Sequence, residues 1–137
     1  MDLNKTINIT YNWSDKVILI AEDEVMNYMY LEEALKETKA KVIWCKNGKE
    51  AIDKIITKKI KIDLVLMDIK MPEMNGYEAT QRIKSFDPNI PVVIQTAFAM
   101  PEERKKGFEV GGDEYIEKPI RQNKLLTVIN QFINRRK

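Results

Sequence analysis

Apolar residues along this chain fall into two alternating patterns. Short, nearly continuous, β-branched runs stand at Val17–Ala21, Lys41–Cys45, Ile62–Met67 and Pro91–Thr96, with a weaker one at Glu114–Glu117. Unbroken apolarity suits strands covered on both faces, as in a parallel sheet. Between these runs the spacing turns helical. Ala51, Ile52, Ile55 and Ile56 recur at i, i+1, i+4, i+5, and Leu125, Val128, Ile129, Phe132 and Ile133 at i, i+3, i+4, i+7, i+8. Residues 26–39 and 77–85 also read as helices, and Pro101 suits the first turn of another, where its missing N–H is harmless. Strand and helix thus alternate five times. That order predicts an α/β fold with a parallel sheet between two layers of helices.

The chain has 137 residues, which fits one domain. Residues 1–15, polar and rich in Asn and Thr, read as a tail or linker, and 16–137 as the domain. Burial of both Tyr11 and Trp13 would overturn that boundary. No run approaches the ~20 apolar residues that span a bilayer, and no apolar leader opens the chain, so a cytoplasmic location is expected. The balance of 23 Lys and Arg against 21 Asp and Glu is too even for a nucleic-acid surface. Arg135-Arg136-Lys137 reads as a solvated helix end. The absence of histidine excludes Ser-His-Asp and Cys-His hydrolases, His-ligated zinc or haem, and a histidine phosphodonor within the chain. Cys45, the single cysteine, makes neither an internal disulfide nor a thiolate cage. Chemistry must rest on carboxylates, hydroxyls, lysines and backbone.

Ligands of open α/β sheets sit beyond the carboxyl ends of the strands. There the sequence places Glu22-Asp23-Glu24, Lys46-Asn47-Gly48, Asp68-Ile69-Lys70, Thr96-Ala97 and Lys118-Pro119. Glu22, Asp23 and Asp68 would converge, and like charges at close range call for a proton or a cation. A hard divalent ion such as Mg²⁺ suits oxygen ligands. Helix capping is the plain alternative for the acidic triplet taken singly. It is weaker for Asp68, because a carboxylate at the end of a buried strand is costly without a partner. Thr96 and Lys118 would complete a phosphoryl site, with the ammonium and metal balancing charge and the hydroxyl orienting the oxygens. Aspartate is a known covalent acceptor of phosphoryl groups.

Four blocks, Ile18-Leu-Ile-Ala-Glu22-Asp23-Glu24, Val65-Leu-Met-Asp68-Ile-Lys-Met-Pro72-Glu-Met-Asn-Gly76, Pro91-Val-Val-Ile-Gln-Thr96-Ala97 and Asp113-Glu-Tyr115-Ile-Glu-Lys118-Pro119, together resemble the receiver domain of two-component response regulators. The resemblance spans about residues 16–135. It implies a flavodoxin-like (βα)5 doubly wound sheet with strand order 2-1-3-4-5. It implies phosphorylation of Asp68 by a phosphohistidine on a kinase or phosphotransfer partner. Mg²⁺ would be held by Asp23, Asp68 and the backbone carbonyl of Lys70, with Glu22 acting directly or through water. Thr96 would contact the phosphoryl group and Lys118 would pair with it. Lys118-Pro119 would be cis, and Tyr115 would be the switch aromatic that swings inward as Thr96 moves.

The chain would then be a phosphoacceptor that takes part in its own phosphorylation and dephosphorylation, not an enzyme. Phosphorylation-dependent homodimerisation is a further implication. The acidic pair is Glu22-Asp23 where the family often has two aspartates, which changes reach but keeps charge. Lys70 and Phe98 hold the positions that tune phosphoryl lifetime, and a bulky Phe98 would hinder the attacking water. The acidic block Ala-Glu-Asp-Glu-Val-Met-Asn favours a module of a hybrid histidine kinase over a stand-alone regulator.

Other readings fit less well. Gly111-Gly112-Asp113-Glu114-Tyr115 resembles a diguanylate cyclase signature, but it runs directly into Ile-Glu-Lys-Pro and reads better as a helix end followed by a strand. A flavodoxin-like FMN binder needs an anion-friendly first turn, which Glu22-Asp23-Glu24 denies. A haloacid dehalogenase-type phosphatase wants an aspartate where Lys70 stands. Met26, Met29, Met67, Met71 and Met74 read as packing residues rather than a metal site.

Overall fold

The computed structural model describes residues 10–57, 59–97 and 100–134. Five strands, β1 (Val17–Ala21), β2 (Lys41–Cys45), β3 (Leu64–Asp68), β4 (Val92–Thr96) and β5 (Glu114–Glu117), form one parallel sheet in the order β2-β1-β3-β4-β5. Five helices connect and follow them: α1 (Val25–Leu35), α2 (Gly48–Ile56), α3 (Gly76–Phe86), α4 (Pro101–Glu109) and α5 (Gln122–Phe132). The alternating pattern predicts the parallel sheet, and its order is the doubly wound, flavodoxin-like one that the resemblance implies.

The two-residue period of the strands divides the core into two layers. Ile18, Ile20, Leu64, Leu66, Val93 and Ile116 face α1 and α5. Leu19, Val65, Met67, Val92, Ile94 and Tyr115 face the other way, among buried residues of α2 and α3. Every residue of β3 and β4 is buried, which explains their unbroken apolar runs. The reversal of strand order between β1 and β3 opens a crevice at their carboxyl ends.

Two local features differ from expectation, and a third lies in the lead-in. β3 begins at Leu64 rather than Ile62, because the buried Asp63 side chain turns back to accept the N–H of Val17 at 2.8 Å. Helix α1 ends at Leu35 and tightens into a 3-10 turn over Lys36–Thr38, closed by Lys39 with φ 66°. The lead-in also packs on the domain ahead of residue 16. Trp13 is buried and stacks on half-buried Tyr11 at 5.1 Å, and its N–H donates to the carbonyl of Thr38 at 2.7 Å. Residues 1–9, Phe98 and the basic run 135–137 lie outside the described residues.

Candidate functional site

The chain leaves β1 directly into Glu22, whose N–H still donates to the carbonyl of Cys45 at 2.9 Å as if continuing the ladder. Its side chain is fully buried. One carboxylate oxygen of Glu22 accepts from the Lys118 ammonium at 3.0 Å, and the other from the N–H of Glu24 at 3.2 Å. Glu24 occupies the N-cap of α1 without a side-chain capping bond. Capping therefore does not account for Glu22 or Glu24, and Glu22 faces inward instead. Asp23 is exposed at the rim.

Asp68 closes β3 and is 6% exposed. Oδ1 accepts from the N–H of Ile69 at 2.8 Å, and Oδ2 lies 3.3 Å from Lys118 Nζ. Glu22, Asp23 and Asp68 each offer a carboxylate oxygen within 4.8 Å of the others. At an effective dielectric constant near 20, each ionised pair at that range repels by roughly 3 kcal/mol. One ammonium faces the cluster, so the pocket is short of positive charge. Burial, and then the charge of Glu22, push the Asp68 carboxyl up to about 7, with Lys118 pulling the other way. For Lys118 itself burial favours the neutral amine, but Asp68 and Glu22 more than offset this and hold the ammonium above its ordinary range.

Lys118 arrives from β5, and its N–H donates to the carbonyl of Thr96 at 2.7 Å, tying the ends of β4 and β5 together. The Lys118-Pro119 peptide is cis. Thr96 is buried, and Tyr115, 4% exposed, already lies inward among the α3-side core with its phenol in polar contact with Thr96 and Tyr77. Lys70 follows Asp68 by two residues, with its side chain exposed in the loop leading to α3. The structure thus gathers Glu22, Asp23, Asp68 and Lys118 around one point, with Thr96 and Tyr115 at the neighbouring strand ends. The three carboxylates of the cluster offer oxygen donors only, a set that fits a hard divalent cation and no soft one.

Three supporting residues carry no signature in the sequence. The Trp44 indole N–H donates to the backbone carbonyl of Glu22 at 2.7 Å while its ring stacks on Tyr28 of α1 at 4.2 Å. Gly76 presses so closely on the backbone carbonyl of Asp68 that any Cβ would collide with it. Its N–H donates to Ile69 at 2.8 Å. Tyr77 donates its hydroxyl to the carbonyl of Glu103 at 3.1 Å.

A family model described as the response regulator receiver domain matches residues 18–130. The chain belongs to the response regulator receiver family. It is 38% identical over 123 residues to hybrid signal transduction histidine kinase I of Dictyostelium discoideum, an alignment covering 85% of this chain and 7% of that one. It is 32% identical over 120 residues to the polar-differentiation response regulator DivK of Brucella anthropi, covering 86% of this chain and 96% of that one. A solved receiver domain of a sensor histidine kinase from Pseudomonas aeruginosa, with a magnesium ion coordinated in its active-site cleft, superposes with a TM-score of 0.79. The two are 26% identical, over 86% of this chain and 97% of that one.

Aspartate phosphorylation with Mg²⁺ is general to this family, and its members interact with histidine kinases or phosphotransfer domains. The family includes both stand-alone regulators and modules of hybrid kinases. Among the described residues no helix is long and apolar enough to cross a membrane.

Proposed function

We propose that this receiver domain accepts a phosphoryl group on Asp68 from the phosphohistidine of a kinase or phosphotransfer protein, acting in the cytoplasm as one station of a His-Asp relay. The observation that carries this reading is the cluster of three carboxylates, Glu22, Asp23 and Asp68, gathered beside the ammonium of Lys118. In the transfer, the P–N bond of the donor histidine breaks as a P–O bond to the Asp68 carboxylate forms, and the imidazole nitrogen leaves. The roles follow from position. Asp68 is the nucleophile and must be ionised. Lys118 balances the charge that gathers on the phosphoryl oxygens, leaving Glu22 as it does so. Thr96 supplies a hydroxyl to one of those oxygens.

Asp23, Asp68 and the backbone carbonyl of Lys70 would hold Mg²⁺, with Glu22 behind them as direct or water-bridged ligand. The ion when bound supplies charge neutralisation at the transferring group. Tyr115, linked to Thr96, reads out the occupancy of the site as a shift in population of the neighbouring surface. The domain acts as an acceptor and not as an independent turnover enzyme, and its greater identity to a hybrid kinase (38%) than to a stand-alone regulator (32%) supports a hybrid-kinase parent.

Treatment with acetyl phosphate and Mg²⁺, followed by intact-protein mass spectrometry and peptide mapping, tests the assignment. Wild type should gain one phosphoryl group on Asp68, while Asp68→Asn and wild type in EDTA should gain none. An adduct that forms equally on Asp68→Asn would sink the proposal.

A further inference from the structure

Helix α4 is held to the domain in an unusual way. Among its described residues only Gly107 is buried, while Met100 before it and Phe108 within it stand exposed. Little apolar burial fastens it, so it belongs to the low-stability end of the structure. Beside the packing of Gly107 near Ile94, a pair of tyrosines touches it. Tyr77, at the start of α3, donates its hydroxyl to the carbonyl of Glu103 at 3.1 Å, and Lys106 Nζ lies 4.7 Å from the centre of the Tyr77 ring. The Arg104 guanidinium lies 5.4 Å from the ring centre of Tyr115. Gly107 rides on that same ring so closely that a Cβ there would come within 2.8 Å of it. Both tyrosines are buried in one cluster and share a polar contact between their side chains.

We propose that Tyr77 is a second switch aromatic, a positioning residue that holds Tyr115 inward and links it to α4, so that a change at Thr96 reaches α4 through a tyrosine pair rather than through Tyr115 alone. This rests on the reading of Asp68 and Thr96 given above. The path is continuous. Thr96 contacts the Tyr115 phenol, Tyr115 contacts Tyr77, and Tyr77 holds the first turn of α4 through the Glu103 carbonyl. Each link is one polar contact, and the one hydrogen bond and two cation–ring contacts on α4 are each worth only about 0.5–1.5 kcal/mol, so a small change at Tyr115 or Tyr77 is large beside them. A substituent at Asp68 that draws Thr96 away from Tyr115 is such a change.

Hydrogen exchange of the α4 amides, with and without beryllofluoride and Mg²⁺ as a phosphoryl mimic, tests the link in wild type and Tyr77→Phe. The phenylalanine keeps the ring that Lys106 covers and removes only the hydroxyl. Tyr77→Phe should exchange residues 101–109 about five- to tenfold faster in the unliganded state, the effect of one lost hydrogen bond. It should still bind beryllofluoride within about threefold of wild type, on the scale of an additive, uncoupled change. Its α4 should no longer respond to that binding. A merely structural Tyr77 would speed exchange in both states and leave the response intact, which would overturn the proposal.

Lys106→Gln, a surface change, should halve the α4 response without unfolding the domain, and keeps the link open to refutation if Tyr77→Phe folds poorly. An unaltered response in that variant would count against the proposal. A wild type that takes no beryllofluoride would sink the Asp68 reading and this one with it. A wild type that takes it, beside a Tyr77→Phe variant with the same α4 response, would sink this one alone.

Discussion

Replacing Asp68 by asparagine should stabilise the metal-free protein, and should do so more strongly as pH rises. The native carboxyl is pushed up to about 7 by burial first and the Glu22 charge second. In the unfolded chain it returns to roughly 3.9. Between those values the folded state binds more protons than the unfolded one, so stability falls as pH climbs, and the loss is complete above the native value. A difference of about three units corresponds to ~1.5 kcal/mol lost at pH 5 and ~4 kcal/mol at pH 8. Asparagine ionises at neither pH and escapes that loss. It also removes one of the two carboxylates that compensate the half-buried Lys118, which trims the gain. The net expectation is an advantage of ~1–3 kcal/mol at pH 8 that is ~2 kcal/mol smaller at pH 5.

Urea unfolding in EDTA, followed by the fluorescence of Trp13 and Trp44, measures it. Other groups titrate in both proteins, so the difference isolates Asp68 and its partners. Mg²⁺ at about ten times its dissociation constant should then restore ~1.4 kcal/mol to wild type at pH 8 and much less to the variant. An Asp68→Asn protein no more stable than wild type at pH 8 in EDTA, or an advantage that shrinks with rising pH, would refute the reasoning.

Two further substitutions probe the frame around the site. Gly76→Ala forces a methyl group into the backbone carbonyl of Asp68 and should cost ~1–3 kcal/mol, with weaker Mg²⁺ binding because the strand end must move. Urea midpoints within error of wild type would contradict the close packing. Trp44→Phe keeps the stack on Tyr28 and deletes the indole donor to the Glu22 carbonyl. It should cost ~1 kcal/mol of stability and loosen Mg²⁺ binding a few-fold by calorimetry, and unchanged affinity would remove Trp44 from the support of the acidic loop.

Much of the fold was legible because the central strands β1, β3 and β4 are buried on both faces, which leaves uninterrupted apolar runs for the crossovers to return to. β1, β2 and β5 begin and end where their own runs do. The start of β3 was not legible, because it is decided by a tertiary bond, Asp63 to the Val17 N–H, across 46 residues of sequence. The end of α1 was hidden for a similar reason. Lys36–Thr38 continue a helical pattern in sequence but tighten to let Lys39 turn into β2.

The docking of Trp13 obeys no periodicity, since a single aromatic outside any element finds its place only when the α1 and α5 layer exists. At the site, the rule that ligands gather at strand ends delivered Glu22, Asp23, Asp68, Thr96 and Lys118 from position alone. It could not deliver the partition of Lys118 between Glu22 and Asp68, which depends on the reach of individual side chains. Nor could it deliver Trp44 and Gly76, which act through backbone carbonyls that every residue has.

The partition of Lys118 bears directly on how such a site works. If the ammonium paired with Asp68 alone, the nucleophile would be quenched by its own counter-ion and a cation would find less to bind. Here Glu22 takes the shorter contact, 3.0 Å against 3.3 Å for Asp68. Burial first, and then the Glu22 charge, hold the Asp68 carboxyl up at about 7, with Lys118 pulling only partly against them. A proton, a divalent cation and the positive field around a phosphoryl group are then competing ways to settle one deficit. Glu22 reaches Lys118 with one carboxylate oxygen while the other accepts the N–H of Glu24. Shortening that side chain by Glu22→Asp should shift Lys118 toward Asp68 and lower the apparent pKa of the Asp68 carboxyl, which carbonyl-carbon NMR titration would read, and an unmoved titration would refute the partition.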